Sequence, residues 1–557
     1  MNDSPEPASS VRPTRVRYAV LAVCCLSAIL LYLDRFCMNF AQRYVREDLG
    51  ISNDALGWSM FSFFITYALF QIPAGWLTDR FGPRKLMTVY ILAWSLMTGL
   101  MGAVGSFAGL IAVRLAAGVA QAGAYPTCAA VVRKWMPLRN RGMGNSIIAF
   151  GGRVGGGIAP LLTALLVITF VPSDVSPLLT EADLLPIETE GVASPSVAPK
   201  PSAEQRRADV AQQLLARTEI DSISQAEPSQ AVAALNELIT GPVLADKQDL
   251  EEISLEKEAD RLLEQQTLLD TQRQRLNRLI LEAVFKEHIR KLYVQGWRPV
   301  MILYGLLGLP IALLFWLIVR DGPERHSQVN EAEQELITHF NTPAGKKPPF
   351  PWKEIVTSRS LWLLSFSQFG TNIGWAFLVT WLPRYLDEVH QVPFAQRGLM
   401  VAIPIFCGWP GVIFGGWLTD RMATRFGLRW GRALPIGLTR FVAAFCYLAM
   451  LLEPSPWIAI AFFSLVAFST DSGTGAVWSV NQDVGGEYTA SVLGWGNMWG
   501  NIGAAVSPVL LQKVMKSTTW NGAFVVAALA FLLAGLCGLY VDSRQQVMAE
   551  TDSGELS

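Results

Sequence analysis

The chain has 557 residues, 51% hydrophobic and 16% charged, with mean hydropathy +0.32 and formal net charge −1. Soluble chains carry roughly a quarter charged residues, and the apolar residues here come in runs of about 20, so a soluble enzyme is excluded in favour of a helical membrane protein. Near-neutral charge without a block of Lys or Arg excludes a nucleic-acid partner.

Residues 1–16 form a tail. Span 1 (17–41) is too long for a signal-peptide core and contains Asp34-Arg35, so it is retained. Spans 2 to 5 are placed at 57–79, 84–104, 106–130 and 143–170, closing a block at 17–170. Residues 171–295 are an insert. It opens with a Pro/Ser/Glu-rich linker, read as disordered, and turns helical from about 203. Leu255, Leu262, Leu269 and Leu276 recur every seven residues, a spacing suited to helix pairing, but Gln266 and Arg273 at partner positions favour a small hairpin or bundle.

Span 6 (298–320, within 296–320) is followed by a loop at 321–357 and a six-span block at 358–541. Its spans are 358–384, 395–418, 433–453, 456–480, 488–512 and 520–541, leaving a tail at 542–557. The expected fold is an all-α membrane protein of twelve transmembrane helices in two six-helix pseudo-repeats, with a helical extracytoplasmic insert. Arginines and lysines concentrate after spans 2, 4 and 8, which makes both termini cytoplasmic.

The hexapeptide GWLTDR ends span 2 (75–80) and span 8 (416–421). The offset is roughly 340 residues; without the insert it is about 215, the length of six spans with their loops. Such parallel repeats build transporters with a substrate site between the halves.

Charges at membrane depth are costly and mark function. They are Asp34 and Arg35 in span 1, Arg114 in span 4, Arg153 in span 5, Arg440 in span 9 and Asp471 in span 10. Arg35 and Arg114 suit a carboxylate, which a guanidinium grips with two parallel hydrogen bonds. An emptied site would pair arginine with Asp34, and proton uptake by Asp34 would free the arginine; a permanent Asp34–Arg pair is the structural alternative. Arg153 fits either a second anionic group or a pair with Asp471 across the halves. Arg440 is read as reaching toward the cytoplasmic interface. Asn372, Trp375, Trp478, Asn497 and Asn501 are candidates for the substrate's other end, or for helix packing.

No GxxxxGK cradle is present, so ATP is not the energy source, and no cofactor or metal is implied. The cysteines (24, 25, 37, 128, 407, 446 and 537) show no metal-ligand spacing and are read as small core residues. His288, His326, His339 and His390 lie outside the spans.

GWLTDRFGPRK (75–85) resembles the signature loop of the major facilitator superfamily. YLDR (32–35), SFFITYALFQIPAGWLTDRFGPRK (62–85), RLAAGVAQAGAYP (114–126), GWR (296–298), NIGWAFLVTWLPRYL (372–386) and GNIGAAVSP (500–508) are similar to its anion:cation symporter family, carriers of sugar acids and other organic anions. The resemblance implies a proton role for Asp34 and contacts of Tyr32, Arg35, Tyr67 and Arg114 with the anion and its hydroxyls. It implies a gating latch of Gly75, Asp79, Arg80 and Arg84, matched by Asp420 and Arg421. Asp79 would meet a helix N-terminus, and the arginines would tie the cytoplasmic ends together.

Relatives carry Glu seven residues after the span-4 arginine; this chain has Gln121. Either Asp34 couples alone, or Asp471 substitutes, or the protein is a facilitator or uses another ion such as sodium. The expected partners are a small organic anion, the coupling ion and the lipid of a bacterial inner membrane, around a monomer. Competing expectations are an organophosphate exchanger on the same fold and a sensor signalling through the insert.

Overall fold

The computed structural model describes residues 12–169, 176–184, 201–338 and 350–547, except positions 221, 224, 251–252, 254, 256, 266, 287, 293 and 393. Most of the linker expected to be disordered therefore lies outside the described residues. Among the described residues the elements are helical, with one isolated bridge between Leu184 and Ile289.

The chain divides into two compact units. The first comprises Met1–Asn39, Gly57–Leu162 and Met301–Ser557; the second comprises Phe40–Leu56 and Thr163–Val300. Among the described residues, seven helical stretches are long and apolar enough to cross a membrane, and an eighth is the bent pair Ala55–Leu69 and Gln71–Phe81. Gly398–Leu452 (55 residues) and Pro456–Ser517 (62 residues) are each long enough to cross twice. Pro83–Met101 and Arg359–Thr380 are shorter helices that fill the places of spans 3 and 7. Twelve crossings result.

Several spans differ from the expected single rods. Span 2 bends by 44° at Phe70. Span 4 is two helices, Phe107–Ala122 and Ala124–Trp135, and span 10 is likewise Pro456–Ser472 and Thr474–Gly485. No loop separates spans 8 and 9. Helix Phe394–Ala449 turns instead at Gly427, whose φ of 75° is open to glycine at little cost. Helix starts follow local chemistry: Ser106 and Ser358 accept backbone N–H bonds from Gly109 and Leu361, and Pro83 and Pro456 occupy first-turn positions.

In the second unit, helices Pro201–Leu215, Pro228–Thr240, Lys257–Leu263 and Asp270–Val284 enclose a core that includes Leu214, Leu235, Ile239, Leu279 and Ile280. The seven-residue leucine pattern does not form one helix. It breaks after Leu263, and Leu269 is 70% exposed while Leu262 and Leu276 are buried. Buried Asn277 replaces missing backbone partners: its amide donates to the carbonyls of Leu238, Ile239 and Pro242 and accepts from the N–H of Leu244. Asp48 accepts from Arg298 Nε at 2.7 Å and Trp297 Nε1 at 3.2 Å, which explains the GWR stretch structurally.

Candidate functional site

A cavity of about 180 Å³ opens between the two six-span halves of the first unit. The first half contributes Tyr32 and Arg35 (span 1), Tyr67 (span 2), Tyr125 (span 4) and Arg153 (span 5). The second half contributes Gln368 and Asn372 (span 7), Thr474 and Trp478 (span 10), and Asn497 and Asn501 (span 11). One wall is cationic and phenolic, the other rich in carboxamides. Tyr125, Gln368 and Thr474 were missed from sequence. Gln368 was within reach of it, because it stands one helical turn before Asn372 on the same face.

Arg35 is 9% exposed, with its guanidinium 4.2 Å from the Tyr67 ring centroid and 5.2 Å from that of Tyr32. Its Nε donates to Gln121 Oε1 at 3.2 Å, and its Nη2 has no hydrogen-bond partner. Gln121 therefore acts behind the cavity wall, orienting Arg35. Arg114 also lies behind the wall, stacked on Phe63 at 4.7 Å, with Nε donating to the Ser59 carbonyl at 3.2 Å and Nη2 to Met60 Sδ.

The expected Asp34–arginine pair is not formed. Asp34 is buried, neither carboxylate oxygen has a hydrogen-bond partner among the described residues, and the Trp94 indole of span 3 bears on it. Successive helix residues point about 100° apart, so Arg35 enters the cavity while Asp34 turns into its own half.

Arg153 lines the cavity and forms an ion pair with Asp471 of the other half. Trp375 lies beside the cavity, its ring centroid 4.5 Å from the Arg153 guanidinium. Arg440 does not reach the interface. It is 3% exposed and donates to Thr371 Oγ1 at 3.2 Å and Thr439 Oγ1 at 2.8 Å. A positive charge that cannot reach water takes hydroxyl acceptors instead.

The two GWLTDR copies occupy matching positions. Asp79 accepts from the backbone N–H of Ala490 (3.1 Å) and Ser491 (2.8 Å), capping span 11 in the second half. Asp420 accepts from the N–H of Gly142 and Met143, both at 2.8 Å, capping span 5 in the first half. Each carboxylate meets the positive end of a helix from the opposite half. Gly75 permits this approach: a Cβ there would lie 2.4 Å from the Ala490 carbonyl oxygen.

The arginines expected to tie the ends together do not. Arg80 and Arg421 are exposed, and Arg84 bonds within its own half, to Asp321 and the Trp316 carbonyl. The tie is Asp483, which receives Arg141 Nη1 of the first half and Arg432 Nε of its own, each at 3.0 Å. Their role was hidden because both arginines fall between the spans read from sequence, where topology alone explains a positive charge.

Residues 24–172 and 292–508 match the sequence profile of the Major Facilitator Superfamily. The chain is 24% identical to a protein named as a probable sulfoacetate transporter of Cupriavidus necator, over 95% of this chain and 94% of that one. It is 23% identical to a probable galactarate/D-glucarate transporter of Escherichia coli, over 96% of each. In fold it resembles the solved Escherichia coli fucose:proton symporter, with TM-score 0.59 at 12% identity over 94% of this chain and 98% of that one. The chain belongs to the Major Facilitator Superfamily and is a membrane transporter, not an enzyme.

Proposed function

We propose that this protein is a secondary transporter importing a small organic anion, a sugar acid or similar carboxylate, together with protons by alternating access. The observation that carries this reading is Arg35: a buried guanidinium on the cavity wall, with its Nη2 unpaired and no carboxylate in ion-pair contact among the described residues. A buried cation without a counter-ion is costly, and an anionic substrate removes that cost. The phenols of Tyr32, Tyr67 and Tyr125 would orient the head group, and the carboxamides opposite would take hydroxyls or a second polar end. The named relatives, carriers of sulfoacetate and of galactarate or D-glucarate, support this class.

Asp34 is the proposed proton carrier, since a buried carboxyl whose oxygens have no hydrogen-bond partner among the described residues suits proton uptake. Asp79 and Asp420 are the latch, closed here, whose release opens the cytoplasmic side. In this reading the termini are cytoplasmic, residues 171–295 face outward, and the protein sits as a monomer in a bacterial inner membrane.

A second reading, exchange or facilitated passage without protons, is favoured by Gln121, which holds Arg35 through a group that does not titrate. Proteoliposome uptake of labelled sugar acids, dicarboxylates and sulfoacetate, under separate proton and sodium gradients, tests both readings. Accumulation driven by a proton gradient supports symport. Counterflow without accumulation supports exchange, and no uptake of any anion overturns the proposal.

A further inference from the structure

Asp471 lies between two arginines from opposite halves. Arg153 reaches it across the cavity and pairs with Oδ1, while Oδ2 has no partner. Arg440 approaches from within the second half, its Nη1 on Thr439 Oγ1 at 2.8 Å and 3.5 Å from the Thr470 carbonyl. It packs against the break in span 10, where a Cβ on Gly473 would lie 1.5 Å from Nη1. Among the described residues no carboxylate stands within ion-pair distance of Arg440, and Asp471 is the acid whose charge acts on it.

The partners differ in access to water. The Arg153 side chain is 28% exposed, that of Asp471 only 1%. Parting of the halves would leave Arg153 facing the cavity, whereas Asp471 would stay packed in the second half with Arg440. A Cβ on Gly408 would lie 2.5 Å from Oδ2, so glycine at 408 is what lets the carboxylate pack this closely against span 8.

We propose that Asp471 changes partners during the transport cycle, from Arg153 while the latch end is closed to Arg440 once the halves separate. Arg440 is then a positioning residue that keeps the released carboxylate compensated. The proposal rests on the reading that the chain alternates between two conformers, and not on the identity of the anion or the coupling ion.

The test is hydrogen exchange of the full chain in detergent without substrate. It follows the amides of Gly142, Met143, Ala490 and Ser491, which the latch carboxylates hold here. Arg440→Gln should slow their exchange about tenfold, because opening now strands a buried charge. Adding Asp471→Asn should restore at least the wild-type rate. A variant that merely loosened the bundle would speed these amides, so unchanged or faster exchange in Arg440→Gln overturns the proposal, as does failure of the double variant to relieve it. Should Arg440→Gln fail to fold, Arg440→Lys keeps the charge and should exchange within about threefold of wild type, and slowing beyond that overturns the proposal. The readout needs no substrate, so it stands if the anion assignment fails.

Discussion

Asn145 of the first half and Gln482 of the second exchange amide hydrogen bonds in both directions, at 3.0 and 2.8 Å, and both side chains are fully buried. Gln482 also donates to the Ala129 carbonyl at 2.9 Å, and Asp483 beside it holds Arg141. This polar seam joins the halves at the same end of the bundle as the Asp79 and Asp420 contacts. Removing one amide strands the other, at a cost of about 1–3 kcal/mol, whereas removing both leaves a smaller defect. Asn145→Ala and Gln482→Ala should each lower the thermal midpoint more than half as much as the double variant does. A double-mutant cycle with strictly additive effects would sink this coupling.

The latch glycines should differ in severity. A Cβ at Gly75 meets the Ala490 backbone oxygen at 2.4 Å, which cannot move without shifting span 11. At Gly416 the contacts are longer, with the Ser146 Cβ and Oγ at 2.7 Å and the Met143 Cα at 3.0 Å, so a smaller shift relieves them. Gly75→Ala should therefore separate Asp79 from its two amides, weaken the closed state by about 1–2 kcal/mol and slow transport severely. Gly416→Ala should do so several-fold less. Vesicle transport rates with amide protection at Ala490 and Ser491 decide it, and equal effects would count against the argument.

The repeat together with the family resemblance made the helix-end positions of Asp79 and Asp420 legible from sequence, because two carboxylates at matching ends of two spans need only register to be placed. The twelve crossings were legible from hydropathy. Which side of a helix a charge faces was not: Asp34 and Arg35 are neighbours in sequence yet point into different compartments of the fold, and hydropathy carries no rotation. The breaks at Gly123 and Gly473 were equally hidden, since an apolar run reads alike whether its helix is straight or interrupted. Arg440 misled for a related reason. A position near a span end suggests a route to water, but neighbouring hydroxyls from Thr371 and Thr439 captured the side chain first.

The placement of the arginines ranks their substitutions. Arg35 is on the cavity wall and Arg114 behind it, on the Ser59 carbonyl. Lysine in place of Arg35 loses the planar fork and the stacking on Tyr67. Arg35→Lys should raise the KM for the transported anion by about tenfold or more, and Arg114→Lys by less. A larger KM effect at Arg114 would mean that it enters the site in another conformer.

Asp34→Asn separates coupling from passage. The amide keeps the shape of the buried acid but cannot carry a proton, so proton-driven accumulation should vanish while counterflow exchange persists. The pair of measurements is uptake against a concentration gradient and isotope exchange at equal concentrations, in the same vesicles. Undiminished accumulation would remove Asp34 from the coupling path and turn attention to Asp471.

The insert should have its own pH dependence. Glu282 is buried, accepts from Arg278 Nε at 2.6 Å and the Leu292 N–H at 2.7 Å, and is pushed up from an ordinary value of 4.5 to about 7 because burial outweighs the arginine. The folded state therefore holds a proton that the unfolded state has released between these pH values. That contribution is fully present below about pH 4.5, falls as pH rises and is lost above about 7, amounting to at most about 3 kcal/mol. Protection of the amides in helix Asp270–Val284, corrected for intrinsic exchange, should decrease from pH 5 to 7 in the wild type. Glu282→Gln cannot titrate and should flatten the profile. A wild-type profile already flat across this window would show that Arg278 holds Glu282 ionised throughout.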